Sequence, residues 1–189
     1  VDIVSPSPEP GLTLEVTLRD AKFSDGSPVT AEDVRSSVAR LTDAKTGSPS
    51  MRRRFSETGL RQPLQILSPR KFRISYANPP ASFLTDLDLG IFKLGTGEPG
   101  QPSPIGAGPF VLDGEVGEIT RFVHNRHYFG GPAVMERLTV RVVRDANSRL
   151  LSLVGGAADL TQNTVSPLLF ESVERWKERL QLTTAPSAL

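Results

Sequence analysis

The feature that most constrains the fold is an alternating segment that runs into a tight turn and then into a capped helix. Residues 12–19 alternate apolar with polar side chains, which predicts a half-buried strand. Asp25-Gly26 predicts a tight turn, because glycine accepts positive φ at no steric cost. Thr30 is a favourable helix N-cap, and the acidic Asp33 follows in the first turn, where the helix dipole stabilises negative charge. The sequence therefore predicts a helix over residues 31–42.

One face of this helix is apolar. Val34, Val38 and Leu41 lie at i, i+4 and i+7, which places them on one side of an α-helix. We expect the three side chains to pack into a core.

The rest of the chain mixes further strands with helices. Alternating or β-branched runs predict strands at 64–68, 71–76, 110–112, 118–124, 138–143 and 158–160, and helical periodicity predicts helices at 146–154 and 167–180. Asp113-Gly114 is expected to open the connection between the strands at 110–112 and 118–124, and Gly155-Gly156 to end the helix at 146–154. The strand at 138–143 is expected to be buried. Trp176 is expected to be a core residue, with an exposed aromatic on a ligand cleft as the alternative. The predicted fold class is α+β.

Composition excludes several kinds of function. The 22 Lys and Arg against 21 Asp and Glu give a net charge of +1, which gives no support to nucleic-acid binding. The absence of cysteine excludes disulfides, thiolate metal sites and a cysteine nucleophile. The two histidines, His124 and His127, are three apart on a predicted strand and so point to opposite faces, which argues against a metal site. No catalytic or phosphate-binding motif is present, and we expect neither an enzyme nor a cofactor.

Four stretches, in this order along the chain, carry a family resemblance. They are residues 18–34, 104–110, 124–131 and 155–160. Together they resemble the family-5 solute-binding proteins of ABC importers, which carry peptides, nickel and related solutes. The chain departs from the family pattern at Ala107, where threonine is usual, and at Arg126, where proline is usual.

The resemblance implies a fold and a domain organisation. It implies part of a two-lobed periplasmic-binding-protein fold of type II, with residues 1–104 as the small family-specific subdomain and 105–189 as part of main lobe I. A short helix is expected at 81–87. Family members are longer, with a second lobe that has no counterpart here, so the chain is expected to be a fragment.

The resemblance also implies a function. The expected role is to bind a solute, an oligopeptide or dipeptide above all, outside the cytoplasmic membrane and to deliver it to an ABC permease by closure of two lobes over the ligand. The protein would be periplasmic or otherwise extracytoplasmic, lipid-anchored or not, and a monomer. The alternative is the solute-sensing module of a transcriptional regulator.

Candidate site residues follow from the same motifs. The loop after the predicted strand 158–160 faces the cleft in the family, and its polar side chains Gln162, Asn163 and Thr164 are candidate solute contacts. The loop of Gly106 and Gly108 has two interpretations, a tight turn that returns the chain to a strand and a turn near the hinge whose backbone lies near the solute. The residues expected to have structural roles in the motifs are Asp25, Gly26, Thr30, Asp33, Pro109, Asn125, Tyr128 and Asp159.

Overall fold

The computed structural model describes residues 12–43, 64–76, 88–97, 104–161, 173, 175–181 and 183. Their helices and strands are β1 (Leu12–Thr17), α1 (Ala31–Thr42), β2 (Gln65–Ser68), β3 (Lys71–Tyr76), β4 (Phe110–Val116), β5 (Ile119–His124), β6 (Arg137–Arg141) and α2 (Ala146–Val154). The chain divides into two compact units, one of Val1–Asp113 with Phe122–Leu138 and one of Gly114–Arg121 with Thr139–Leu189. The expected division into 1–104 and 105–189 concerns family subdomains and stays a prediction.

The first unit contains an antiparallel sheet in the order β1-β3-β2. Leu14 lies opposite Ile74, and Val16 lies opposite Phe72. Along β3, burial alternates strictly, so that every second side chain faces the core. The two strands predicted at 64–68 and 71–76 are confirmed, at Gln65–Ser68 and Lys71–Tyr76.

Helix α1 covers this sheet. Ala31 and Val34 are buried in one cluster with residues of the sheet, and Val38 packs against that cluster while partly buried. Full burial of such an aliphatic side chain contributes about 1.5–3 kcal/mol. The predicted apolar face is therefore confirmed for Val34 and, in part, for Val38, whereas Leu41 is only half-buried.

The second sheet has the order β4-β5-β6. The predicted opening of the β4–β5 connection at Asp113-Gly114 is wrong, because β4 continues to Val116 and the chain turns at Gly117-Glu118. Gly117 has φ 59°, in the left-handed region that glycine adopts freely.

Burial of the third strand of that sheet was predicted wrongly. The strand forms at 137–141, but Val140 is 46% exposed, and none of the residues of this strand is buried. Its β-branched composition predicts the strand correctly. Burial depends in addition on what packs over a strand, and that is not encoded in the strand itself.

Helix α2 forms as predicted. Asp145 caps its first turn by accepting the Ser148 N–H at 2.7 Å, which lowers the pKa of the Asp145 carboxyl. The helix ends at glycine, where the Gly155 N–H donates to the Leu151 carbonyl at 2.8 Å. No helix in the described ranges is both long enough and apolar enough to cross a membrane.

Several predictions after this helix are wrong. Residues 158–160 form no strand, and Trp176 is 40% exposed, with the Arg179 guanidinium 6.0 Å from its ring centroid. The helix predicted at 81–87 and residues 167–172 and 174 of the helix predicted at 167–180 lie outside the described residues. Residues 175–179 form turns, so the prediction of helix is wrong for that part.

Candidate functional site

Within the first unit, the sequence motifs meet through backbone hydrogen bonds. The Ser24 N–H, in the turn before α1, donates to the Gly106 carbonyl at 3.0 Å. The Lys93 N–H donates to the Ile105 carbonyl at 2.9 Å, and Phe92 forms an isolated antiparallel bridge with Gly106. The loop of the second motif is thus fixed on one side by two segments that are distant in sequence.

The polar face of α1 holds one of these segments. Asp33 Oδ1 accepts the Leu94 N–H at 2.9 Å, and Ser37 Oγ accepts the Phe92 N–H at 2.9 Å. Arg40 places its guanidinium 5.4 Å from the Phe92 ring centroid. Sequence reasoning missed Ser37 and Arg40, although Asp33, Ser37 and Arg40 have the i, i+4, i+7 spacing of a single helix face.

Asp33 also completes the cap that was predicted for α1. Its side chain accepts the Thr30 N–H at 2.9 Å, while Thr30 Oγ1 accepts the Asp33 N–H at 3.4 Å, which together form a capping box. The structural roles expected of Thr30 and Asp33 in their motif are consistent with these bonds.

An ion pair joins the turn before α1 to the segment that α1 holds. Asp25 pairs with Lys93 and also accepts the N–H and hydroxyl of Ser27. The Lys93 ammonium first, and Ser27 second, hold the pKa of the Asp25 carboxyl well below its usual range. Gly26 has φ 85°, a left-handed conformation in which an L side chain is strained, so glycine is favoured at this turn; a Cβ there would only touch the His127 ring, at 3.4 Å.

Asn125 holds the glycine loop from its other side. Its side chain is 1% exposed; Nδ2 donates to the Gly108 carbonyl at 2.8 Å, and Oδ1 accepts the His127 N–H at 2.9 Å. Its own N–H donates to the Pro109 carbonyl at 2.8 Å, and its carbonyl accepts the Tyr128 N–H at 3.3 Å. Every main-chain and amide group of Asn125 is therefore engaged.

Gly106 and Gly108 are not required by the local conformation. Neither has φ in the left-handed region, and a Cβ at either position would meet no atom of the described residues within 4 Å. The carbonyls of both are nevertheless held by hydrogen bonds within the protein. The conformational freedom of glycine, which the tight-turn interpretation uses, does not explain these two residues.

The remaining candidates lie in the second unit or outside the described residues. Asp159 lies exposed in the second unit, and Gln162, Asn163 and Thr164 lie outside the described residues. Among the residues whose placement is described, no group of three His, Cys, Asp or Glu side chains could hold a metal ion. The assignment of individual residues to solute contact stays a prediction.

Comparison with known proteins gives the family. Residues 7–183 match the family model described as bacterial extracellular solute-binding proteins, family 5 middle. The chain is 26% identical over 184 residues to the nickel-binding periplasmic protein of Escherichia coli K12, covering 90% of this chain and 34% of the relative. It is 28% identical over 184 residues to a probable di/tripeptide-binding protein of Pseudomonas aeruginosa, covering 82% and 33%.

A solved structure shows the same fold. The crystal structure of NikA from Brucella suis in complex with Fe(III)-EDTA aligns with a TM-score of 0.66 and 26% identity, over 91% of this chain and 36% of that one. The chain thus spans about a third of the length of the proteins that it matches. The expectation of a mixed helix-and-sheet portion of a periplasmic-binding-protein fold is confirmed. The chain belongs to the bacterial extracellular solute-binding proteins of family 5.

Proposed function

We propose that this chain is part of the solute-binding component of an ABC-type importer, that its solute is an oligopeptide or dipeptide, and that the glycine loop of residues 106–108 contacts this solute. The protein acts outside the cytoplasmic membrane as a monomer and delivers its solute to an ABC permease. Family membership supports the class of protein, and the di/tripeptide-binding relative supports the choice of solute.

The observation that carries the solute contact is the pair Gly106 and Gly108. Glycine serves a chain in two ways, by adopting positive φ or by allowing another group to approach the backbone closely. Neither glycine has a positive φ in the left-handed region, and no described side chain or backbone approaches either of them closely. Close approach of a solute accounts for both glycines. An extended peptide, which is recognised through its main chain, is the kind of ligand that such a loop admits.

The proposal of peptide as solute is tested by calorimetric titration of the whole protein that carries this chain. A mixed library of di- to pentapeptides forms one arm, and Ni²⁺ with L-histidine forms the other. Saturable binding of peptides supports the proposed solute. Saturation by the nickel arm alone, or by neither arm, contradicts it.

The proposed contact is tested separately by Gly108→Ala. Gly108 has no left-handed φ and no close neighbour among the described residues. Alanine should therefore leave the free energy of unfolding unchanged or raise it by up to about 1 kcal/mol. Peptide affinity should fall about tenfold or more, which corresponds to about 1.4 kcal/mol of lost contact.

The matched control is Gly26→Ala, at a glycine whose φ of 85° the fold requires. This variant should be destabilised by about 1–2 kcal/mol, because an L side chain is strained in the left-handed region. If the Gly108→Ala protein binds peptide as tightly as the wild type, the glycine loop does not contact the solute.

A further inference from the structure

We propose that Asn125 is the positioning residue that sets the backbone path of residues 106–109, the loop that the proposed function brings to the solute. The inference rests on the proposed function for the statement that the loop contacts a solute. The hydrogen bonds by which Asn125 holds the loop do not depend on it. The side chain bridges two loops that are 17 residues apart, because its amide reaches Gly108 while its own backbone lies in the loop of the third motif.

The chemistry of the contact requires an asparagine. At this buried position the side chain must donate to the Gly108 carbonyl and accept from the His127 N–H. The amide of asparagine provides a donor and an acceptor on one short side chain, whereas an ionised aspartate only accepts and leucine does neither. Burial makes the requirement strict, since a polar group that loses its partner there loses water as well.

The loop is held at two successive carbonyls by this one residue. Nδ2 binds the Gly108 carbonyl and the backbone N–H binds the Pro109 carbonyl, both at 2.8 Å. The backbone bond survives any substitution of the side chain, so a variant of Asn125 releases the glycine end of the loop and keeps the proline end. The side-chain bond is therefore what fixes the Gly108 end of the loop, while the Gly106 end is held by the Ser24 N–H.

The decisive variant is Asn125→Asp, studied in this chain as a function of pH. A protonated aspartic acid has almost the same shape as asparagine, and its hydroxyl can donate to the Gly108 carbonyl in place of Nδ2. The carboxylate cannot donate, and it places a negative charge against that carbonyl. Burial and the facing carbonyl raise the pKa of the new carboxyl in the folded state above its ordinary value of about 3.9.

The sign of the pH dependence follows from the raised pKa of the new carboxyl in the folded state. Because the folded-state pKa is raised, the stability of the variant is greatest below the unfolded pKa and is lost as pH rises through the folded pKa. We expect a deficit in melting temperature against the wild type at about pH 7 that shrinks by more than half near pH 4. His124, His127 and Tyr128 are titratable residues within three positions of residue 125. Both proteins carry them, but an interaction of a charged neighbour with the new carboxylate exists only in the variant, so the comparison is repeated in a His127→Asn background.

The matched control is Asn147→Asp, at an exposed position in the first turn of α2. An acidic residue near a helix N-terminus is stabilising when it is ionised, so its difference from the wild type should change with pH in the opposite direction. A deficit of Asn125→Asp that is constant across pH would show that the side chain only fills space, and would overturn the proposal. If the variant is unfolded at about pH 7, recovery of the native signal near pH 4 supports the proposal, and failure to recover where the wild type is native overturns it.

A second measurement reports on the loop directly. Hydrogen exchange of the Ser24 amide, which donates to the Gly106 carbonyl, should become faster in Asn125→Ala, while the amides of β1 and β3 keep their protection. Equal exchange of the Ser24 amide in the variant and the wild type would contradict the positioning role. Neither experiment needs a solute, so failure of the proposed function in the peptide titration would leave these outcomes unaffected.

Discussion

Hydrogen bonds from Ser24, Asn125 and residues 92–94 surround the glycine loop, and Asp33 and Ser37 of α1 hold residues 92–94 in turn; we call these bonds the frame. The most direct test of the frame is the removal of the Asp33 carboxylate. The side chain is 6% exposed and accepts three hydrogen bonds, from the Thr30 N–H at 2.9 Å, from Thr30 Oγ1 at 2.5 Å and from the Leu94 N–H at 2.9 Å. A hydrogen bond to a charged group contributes about 1.5–3 kcal/mol, and buried donors that lose their partner add a cost of their own. We therefore expect Asp33→Ala to lower the free energy of unfolding by about 2–4 kcal/mol.

The informative comparison is with the other half of the capping box. Thr30→Ala removes the N-cap hydroxyl and should cost about 1 kcal/mol, the usual loss for such a cap. It leaves the bond from Leu94 to Asp33 in place. The excess of Asp33→Ala over Thr30→Ala, about 1 kcal/mol or more, contains the loss of the bond from the Thr30 N–H together with the attachment of the loop segment through the Leu94 N–H.

The assay is equilibrium unfolding in denaturant, with variants compared at equal slope. Glu32→Ala is the control, since Glu32 is the other acidic residue of the first turn and its partly exposed side chain pairs with Arg35; it should change stability by about 0.5 kcal/mol or less. If Asp33→Ala costs no more than Thr30→Ala, Asp33 acts as a helix cap only, and the interpretation of the α1 polar face as an anchor for the loop is wrong.

Two further predictions concern the core and the surface of the same unit. Val38→Asp should lower the melting temperature by about 5 °C or more, since Val38 packs against the core cluster, whereas Ala39→Asp on the exposed face should change it little in the same thermal melt. Lys93→Met should destabilise the chain at about pH 7, and the difference from the wild type should shrink as pH falls below about 4, because the lowered pKa of Asp25 gives a contribution that is lost on acidification. A difference that persists in acid would show that Lys93 acts by packing.

The parts of the fold that were predictable are those with local signals. The strand at residues 12–17, the cap at Thr30 and the helix that follows are each specified by neighbours in sequence, through alternation, a side-chain acceptor and helical spacing. The β2–β3 hairpin and α2 with its terminal glycines were predictable for the same reason.

The turn between β4 and β5 shows where local signals compete. Asp113-Gly114 is a frequent turn pair, but Gly117 follows three residues later and offers the same freedom. The structure uses Gly117, so that Asp113 and Gly114 extend the strand. Both glycines satisfy the local rule equally, and the register of the two strands decides between them.

The frame around the glycine loop could not be predicted at all. Its bonds join Ser37 to Phe92 and Asp33 to Leu94, which are separated by 55 and 61 residues, and they run from side chains to backbone groups. A backbone acceptor or donor is present at every residue, so the sequence of the segment that is held carries no mark of the contact. Only the side-chain partners are marked, as three polar residues on one face of α1 that could equally be solvated.

The way in which the loop is held bears on how it would bind a solute. Gly106 and Gly108 have no side chain, and a Cβ at either would meet no described atom within 4 Å. Their carbonyls are nevertheless held, that of Gly106 by Ser24 and that of Gly108 by Asn125. A loop that is open toward a solute but immobile in its backbone need not be ordered when a ligand arrives, and the entropy of that ordering is a large part of the cost of binding. The buried polar groups of α1 and of Asn125 would then serve affinity without touching the solute. Substitutions in the frame should accordingly weaken binding by more than their distance from the solute suggests, because the cost of ordering the loop returns with each bond that is lost.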